Sequence, residues 1–296
     1  MKDQIPKLTL LMPAYNEETY IKQSIMCVLE NSYRDCELII ADNASTDRTQ
    51  DHILEIIESN TSGIPIEYIR REQNIGNWAN LNDLIKRAKG EYLCFMGAHD
   101  LVSKDYFLQL VNLLEKDKNA VLSFAKPQCI DKNGDYIKTD SIAHDLNMEV
   151  AVVRFLSLMY LTPYHLYGVM RSDAVMKTHL FHQIIGADNL FLLELSQQGT
   201  FLLCPKERWF DRENRGKEDR ISRYRRYKKA LFSSRWESFR FSFLPNVLEL
   251  FHRMALPFTI RGISMKRRLA LVSIYPLIVI HFFERIKFNI RNFGKW

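Results

Sequence analysis

From residue 8 to about residue 125, short apolar runs alternate with stretches in which apolar residues recur every three or four positions. Such an alternation predicts strands interleaved with amphipathic helices, the pattern of an α/β fold whose mainly parallel sheet is flanked by helices. Strands are expected over residues 8–12, 37–41, 66–69, 91–96 and 121–125. Between them, 19–30, 47–59, 77–89 and 104–116 read as helices; the first presents Ile21, Ile25, Val28 and Leu29 on one face, and the third stops at Gly90. Ser103 is the expected cap of the fourth helix. Lys132-Asn133-Gly134-Asp135 carries the Asn-Gly signal of a tight hairpin. Beyond it the order is less regular: 165–170 looks β-like, 188–198 repeats leucine-type residues at helical spacing, and 201–204 reads as a strand.

With 296 residues, 47% of them hydrophobic, the chain has ample material for one large core. Cys27, Cys36, Cys94, Cys129 and Cys204 are scattered without a CxxC pair or metal-ligand spacing, as expected of reduced core cysteines in a cytosolic protein. The first apolar run soon meets Pro13 and Asn16, too early for the h-region of a signal peptide, so a cytoplasmic location is expected. The net charge of +6 is concentrated late: Arg220 to Arg235 holds seven basic residues and no acid. The division expected is a catalytic domain over 1–215 and a basic, partly apolar helical extension over 216–296.

Two adjacent strands open into polar turns, the first into Pro13-Ala14-Tyr15-Asn16-Glu17 and the second into Asp42-Asn43-Ala44-Ser45-Thr46-Asp47. In an open parallel sheet ligands gather beyond the carboxyl ends of the strands, so Asp42 stands where a carboxylate accepts from a base N–H. The alternative is that Asp42 and Asp47 only cap the next helix. These motifs make residues 1–215 resemble an inverting family 2 glycosyltransferase with the GT-A fold. The resemblance implies that Pro13, Tyr15, Glu17 and Asp42 line the base and ribose of a nucleoside diphosphate sugar, and that Asn74 and Asn80 belong to the same donor pocket. It departs at Leu81, where the family often carries arginine; Arg70 or Arg71 is the expected substitute. The fourth strand ends in Gly97-Ala98-His99-Asp100, where the family usually has an Asp-x-Asp pair. Only Asp100 remains to hold Mn²⁺ or Mg²⁺; one protein carboxylate suffices when the diphosphate supplies further oxygens. His99 is a second ligand or a phosphate contact.

On the acceptor side, Gly186-Ala187-Asp188-Asn189-Leu190 and the helix it begins resemble the family's acidic motif, which makes Asp188 the catalytic base. Ala187 stands where a Glu is common. The plainer reading of Asp188 is a helix cap, whose charge at a helix N-terminus makes it a weaker base unless burial offsets this. Glu194 reads as a solvated or packing residue. Arg212, with Arg215, matches an arginine loop that closes over the diphosphate in the family, against the alternative of a solvated loop; Asn214 replaces the family's histidine.

Residues 269–283 form an apolar run broken by Pro276 and flanked by Lys266, Arg267, Arg268, Arg285, Lys287 and Arg291. Fifteen residues with a central proline fall short of a membrane span, and the charge pattern suits a helix in the interface of an anionic membrane, with a soluble helical cap as the rival. Nucleic-acid binding through Arg220 to Lys229 lacks any accompanying module. The expectation is transfer from a nucleoside diphosphate sugar, with UDP the expected nucleotide, to a hydroxyl of a glycan or lipid-linked acceptor at the cytoplasmic face of a bacterial inner membrane. Two rivals stay open: a degenerate, membrane-bound scaffold, suggested by Ala98 and Ala187, and a sugar-phosphate nucleotidyltransferase, which expects a Gly-rich phosphate loop after the first strand.

Overall fold

A computed structural model of the chain describes residues 5–139, 146–161, 163–184, 186–213 and 245–293. Its first half is a regular strand–helix alternation: β1 (Leu8–Ala14), α1 (Ile21–Leu29), β2 (Cys36–Asp42), α2 (Thr49–Ser59), β3 (Ile66–Arg70), α3 (Asn77–Arg87) and β4 (Tyr92–Phe95). Then come β5 (Leu101–Val102), α4 (Tyr106–Lys116), β6 (Ala120–Ile130), β7 (Tyr136–Thr139), α5 (Ala151–Tyr160), a 3₁₀ turn over Pro163–Tyr167, β8 (Val169–Arg171), α6 (Ser172–Val175), α7 (Ala187–Leu195) and β9 (Thr200–Arg212). Three helices close the described chain: α8 (Pro245–Thr259), α9 (Met265–Ser273) and α10 (Tyr275–Phe293).

The nine strands form one sheet in the order β3-β2-β1-β4-β8-β6-β9-β5, with β7 on the far end of β6. β3, β2, β1 and β4 are parallel, and β8 enters antiparallel between β4 and β6. Because β6 opposes β8 and β9 runs parallel to β6, both run in the direction of β1. The chain moves outward from β1 to β3 and returns on the other side of β1 as β4. That reversal opens a crevice beyond the carboxyl ends of β1 and β4.

Strands covered on both faces need apolar side chains in both directions. In β1, Leu8, Leu10 and Met12 enter a core with α1, α2 and α4, while Leu11 enters another with α3, α5 and α7. Leu256, Ile260, Ile263, Leu271, Ile274 and Ile278 of the C-terminal helices share that second core. The apolar run 269–283 divides at Ile274, where α9 ends and Pro276 sits in the first turn of α10, a position proline tolerates. Among the described residues no helix is long and apolar enough to cross a membrane. All five cysteines are free thiols, four of them buried.

Three sequence expectations need correction here. Residues 165–170 are not one strand: they begin as the 3₁₀ turn, and only from Val169 does the chain pair, because Gly168 brings its backbone so close to β6 that a Cβ would meet the Ser123 carbonyl oxygen at 2.3 Å. Ser103 does not cap α4; its hydroxyl bonds to the Glu207 carboxylate across the sheet edge. The strand expected over 201–204 continues to Arg212, and a register shift at Ala125/Lys126 lets it stay paired to β6 while crossing a bulge. The hairpin at Asp131–Asp135 forms as expected, with Gly134 at φ 95° and the Asp131 carboxylate accepting from the Asn133 and Asp135 amides. Residues 214–244, including Asn214, Arg215 and the basic stretch from Arg220, lie outside the described residues.

Candidate active site

The tips of β1 and β2 are locked to each other before any ligand is considered. Asn16 and Ala44 both adopt left-handed backbone, at φ 54° and 62°, and the Asn16 amide donates to the Ser45 hydroxyl while the Thr46 amide donates to the Asn16 side chain. Thr49 Oγ1 accepts from the Glu17 amide at 2.7 Å. Asp47 caps α2 through the Thr49 amide and hydroxyl and also accepts from the Glu18 amide. Burial pushes its pKa up, but those hydrogen bonds outweigh it and hold the carboxyl below its ordinary range.

Asp42 is fully buried, and its two oxygens already have partners: the Ser45 amide at 2.8 Å on one, the Tyr68 hydroxyl at 3.2 Å and the Arg70 guanidinium on the other. The parallel register explains this, since Asp42 pairs with Arg70 and Ile40 with Tyr68. Burial, then the Asp42 charge, push the Tyr68 phenol up to about 12, so it stays a donor. Asn80, also buried, donates to the Ala41 carbonyl and accepts from Arg71, which continues to Asp83. Asn74 accepts from Asn43 and from the Gly76 amide, shaping the turn before α3. Leu81 packs in the core, where an arginine would have no outlet, and Arg70 and Arg71 bring guanidinium groups to this corner instead. Thus Asp42, Asn74 and Asn80 are each engaged by neighbouring groups of the chain, while Pro13 and the 44%-exposed Tyr15 stand at the open end of β1.

Beyond β4 the picture changes. His99 Nδ1 lies 2.9 Å from Glu17 Oε1, and its Nε2 lies 3.6 Å from Asp100 Oδ1. Asp100 is 1% exposed; Oδ1 accepts from the Arg212 amide at 3.2 Å, and Oδ2 is buried with no hydrogen-bond partner among the described residues. Gly97 makes the room: a Cβ there would sit 2.3 Å from that Oδ2. An orphaned buried carboxylate oxygen is costly unless something positive completes it, so the donor set fits a hard divalent cation. Ala98, in the place of the first family acid, is buried in the core.

The arginine expected as a flexible diphosphate clamp is something else. Arg212 is 2% exposed, and its guanidinium donates to the carbonyls of His99, Asp131 and Lys132 and to Gln23, with its carbon 4.7 Å above the Tyr20 ring. It ties the end of β9 to the Asp100 loop, the β6–β7 hairpin and α1. A strand where a loop was expected is the cause: β9 carries the side chain inward.

On the acceptor side, β9 runs in the direction of β1, and α7 ends four residues before β9 starts at the opposite edge of the sheet. The contact of Phe95, the last residue of β4, with Phe191 brings the start of α7 toward the carboxyl end of β4. There Asp188, half-buried, accepts from the Asn189 amide at 2.9 Å, behind Gly186 in left-handed conformation. A column of rings fixes this helix: Trp78 stacks on Phe181 at 5.0 Å, Phe181 on Phe191 at 4.6 Å, and Phe95 meets both edges-on. Asn82 clasps the amide and carbonyl of Phe181. Neither ring column nor clasp was foreseen; the aromatic spacing alone spans three elements. Glu194 is not solvated: it is 1% exposed, burial raises its pKa, and Oε2 accepts from the His179 amide.

The model of glycosyl transferase family 2 matches residues 9–184, more than half the chain. The chain belongs to this family. It is 26% identical over 159 residues to the putative teichuronic acid biosynthesis glycosyltransferase TuaG of Bacillus subtilis, covering 52% of this chain and 62% of that relative. Among solved structures it is similar to S. aureus TarS 1–349 in complex with UDP-GlcNAc, at TM-score 0.64 and 13% identity, covering 91% and 71% of the two chains. It is also similar to the mannosyltransferase PcManGT of Pyrobaculum calidifontis in complex with GDP-Man and Mn²⁺, at TM-score 0.55 and 17% identity, covering 94% and 81%. The fold is the GT-A fold, and the protein is a glycosyltransferase.

Proposed function

We propose that this enzyme moves a sugar from a nucleoside diphosphate sugar, with a UDP-sugar the expected donor, to a hydroxyl of a growing glycan, with inversion at the anomeric carbon. The observation that carries the reading is the buried, unpartnered Oδ2 of Asp100 at the switch point between β1 and β4, on the same sheet edge as Asp188. Asp100, with His99 beside it, would hold a divalent cation, which when bound neutralises charge developing on the leaving diphosphate. The Glu17 carboxylate accepts from His99 Nδ1 and so orients that ring. Tyr15 offers its exposed ring to the base, while the Asp42–Arg70 pair forms the floor. Asp188 accepts the proton of the attacking hydroxyl on a carboxylate oxygen as the acceptor oxygen bonds to the anomeric carbon; the bond from that carbon to the diphosphate oxygen breaks, and the nucleoside diphosphate leaves with the electron pair. Arg212 acts as a positioning residue for the Asp100 loop.

A membrane-borne acceptor is supported by the C-terminal helices. Phe251 and Phe258 of α8, Met265 and Leu269 of α9, and Leu277, Ile280 and Phe283 of α10 are all exposed, although each helix also buries a face. Arg261 and Lys266 lie among them. Apolar side chains interleaved with bases suit the interface of an anionic lipid surface. Not every base is available for that: Arg267 donates to the Gln197 carbonyl, and Arg268 to those of Pro257 and Ile260.

A thermal-shift panel of UDP, GDP and their sugars, with and without Mn²⁺, tests the reading, because a ligand of the native state raises its melting temperature. A Mn²⁺-dependent rise with one nucleotide supports it. Absence of any rise across the panel contradicts it.

A further inference from the structure

A second cleft, of about 850 Å³, opens on the other side of the Asp100 loop, between α1, the β5 edge and the β6–β7 hairpin. Its floor is apolar, with Val102 and Ile130 buried, and Phe210 and the 59%-exposed Tyr136 add aromatic rings. Around this floor stand Glu30, Lys104 and Gln128, and the side chains of all three lack a hydrogen-bond or ion-pair partner within the described chain. On the β2–β3 flank, by contrast, polar side chains are paired with each other, as Asp42 is with Arg70 and Asn80 with Arg71. Three unengaged polar groups converging over an apolar, aromatic floor is the composition of a ligand site rather than of a packing defect.

The lining also limits the occupant. An acid and a base face the same space, so neither a polyanion nor a polycation is matched in charge. The volume is that of a site for a ligand of several rings rather than for an ion. Rings that offer an apolar face, beside an amide and a carboxylate that bond hydroxyls in both directions, suit the pyranose units of a sugar chain, whose C–H faces are apolar and whose rims carry hydroxyls. The cleft is mechanically joined to the transfer site: Leu101 and Val102 on its wall follow Asp100 directly, and Gln23 on its rim accepts from Arg212, whose amide in turn holds Asp100.

Resting on the transferase reading above, we infer that this cleft is a second carbohydrate-binding site, which holds a distal stretch of the glycan acceptor or product while its end is at the transfer site. Binding there would keep a growing chain on the enzyme between additions. Because Gln128 and Lys104 make no hydrogen bond or ion pair to the groups placed at the transfer site among the described residues, and Tyr136 lies on the exposed β7 side of the cleft, their loss is expected to affect chain retention and not donor chemistry.

The test uses the full chain and an array of bacterial-type oligosaccharides of two to eight sugar units, followed by titration of the best binder. Four proteins are compared: wild type, the Gln128→Ala/Tyr136→Ala double variant, Lys104→Ala, and Asp188→Asn. The expected result is that wild type and Asp188→Asn bind alike, the double variant binds at least tenfold more weakly, and Lys104→Ala falls between. Melting curves of the double variant are expected to match wild type, since Tyr136 is exposed and Gln128 unpartnered; if they do not, Lys104→Ala decides alone. Hydrolysis of the donor in the absence of acceptor is expected to be unchanged in both cleft variants. No binding to any oligosaccharide, or equal binding by wild type and cleft variants, overturns the inference. Failure of the transferase reading shows separately, as loss of nucleotide-sugar turnover in wild type with array binding intact.

Discussion

The two flanks of the carboxyl edge are built on opposite principles. On the β2–β3 flank nearly every motif side chain is bonded to another one: Asp42 to Arg70, Tyr68 and Ser45, Asn43 to Asn74, Asn80 to Ala41 and Arg71. On the β4–α7 flank, Asp100 keeps an oxygen without a partner and Asp188 sits in a first helical turn held by rings and a clasp behind it. The first flank is a rigid mould whose polar groups define shape. On the function proposed above, reactive capacity is kept on the second, where Asp100 Oδ2, without a partner among the described residues, has something to gain from a ligand.

The sharpest way to break this contrast is Asp188→Asn. It is expected to lower transfer by about 10²–10⁴-fold, the usual worth of a positioned base, with nucleotide binding by thermal shift unchanged. An unaltered transfer rate would return Asp188 to a capping role. Gly97→Ala comes next: its Cβ would meet Asp100 Oδ2 at 2.3 Å and must turn the carboxylate away. Turnover is expected to fall roughly 10²-fold in a protein with wild-type circular dichroism. On the mould side the loss should appear in stability. Asp42→Ala strips Arg70, Tyr68 and the Ser45 amide of a shared acceptor and is expected to cost about 2–3 kcal/mol in urea unfolding. A midpoint equal to wild type would remove the mould from the account. Behind the Asp100 loop, Arg212→Lys cannot reproduce a fork that reaches four acceptors, and a loss of about 2–3 kcal/mol is expected there too. The smallest effect concerns pH. Burial first, then neighbouring His252 and His179, hold the His182 pKa below its ordinary 6.5, so the unfolded chain binds the extra proton more readily. Stability is therefore present above pH 6.5 and lost as pH falls from there through the lowered folded value, and His182→Phe is expected to flatten that slope in melting curves taken from pH 7.5 to 5.

Most of the fold was legible in the chain. Strands β1 to β4 and their helices follow from apolar periodicity, and the Asn-Gly pair announced the β6–β7 turn. What stayed hidden depends on partners far away in sequence. Asp42 looked like a ligand contact because nothing near it in the chain hints at Arg70, which only the β2–β3 register brings opposite. Arg212 looked like a loop residue because the 204–208 bulge lets one strand span what reads as a strand and a loop. Glu194 read as either solvated or packed because an acid on a leucine-rich helix gives no sign that the His179 amide and ring wait for it inside. That Asp100 follows a strand and Asp188 lies at the start of a helix was legible for the opposite reason, since each place is set by an element the apolar periodicity marks.

The central claim is that Asp100 completes a cation site with the donor's diphosphate, on the edge it shares with Asp188. Titrating Mn²⁺ in the presence and absence of UDP, by the loss of the free-ion paramagnetic resonance signal, tests it in wild type, Asp100→Asn and Asp188→Asn. The prediction is that UDP tightens Mn²⁺ binding in wild type and Asp188→Asn and has no such effect in Asp100→Asn. Equal, UDP-dependent Mn²⁺ binding by Asp100→Asn and wild type would contradict it.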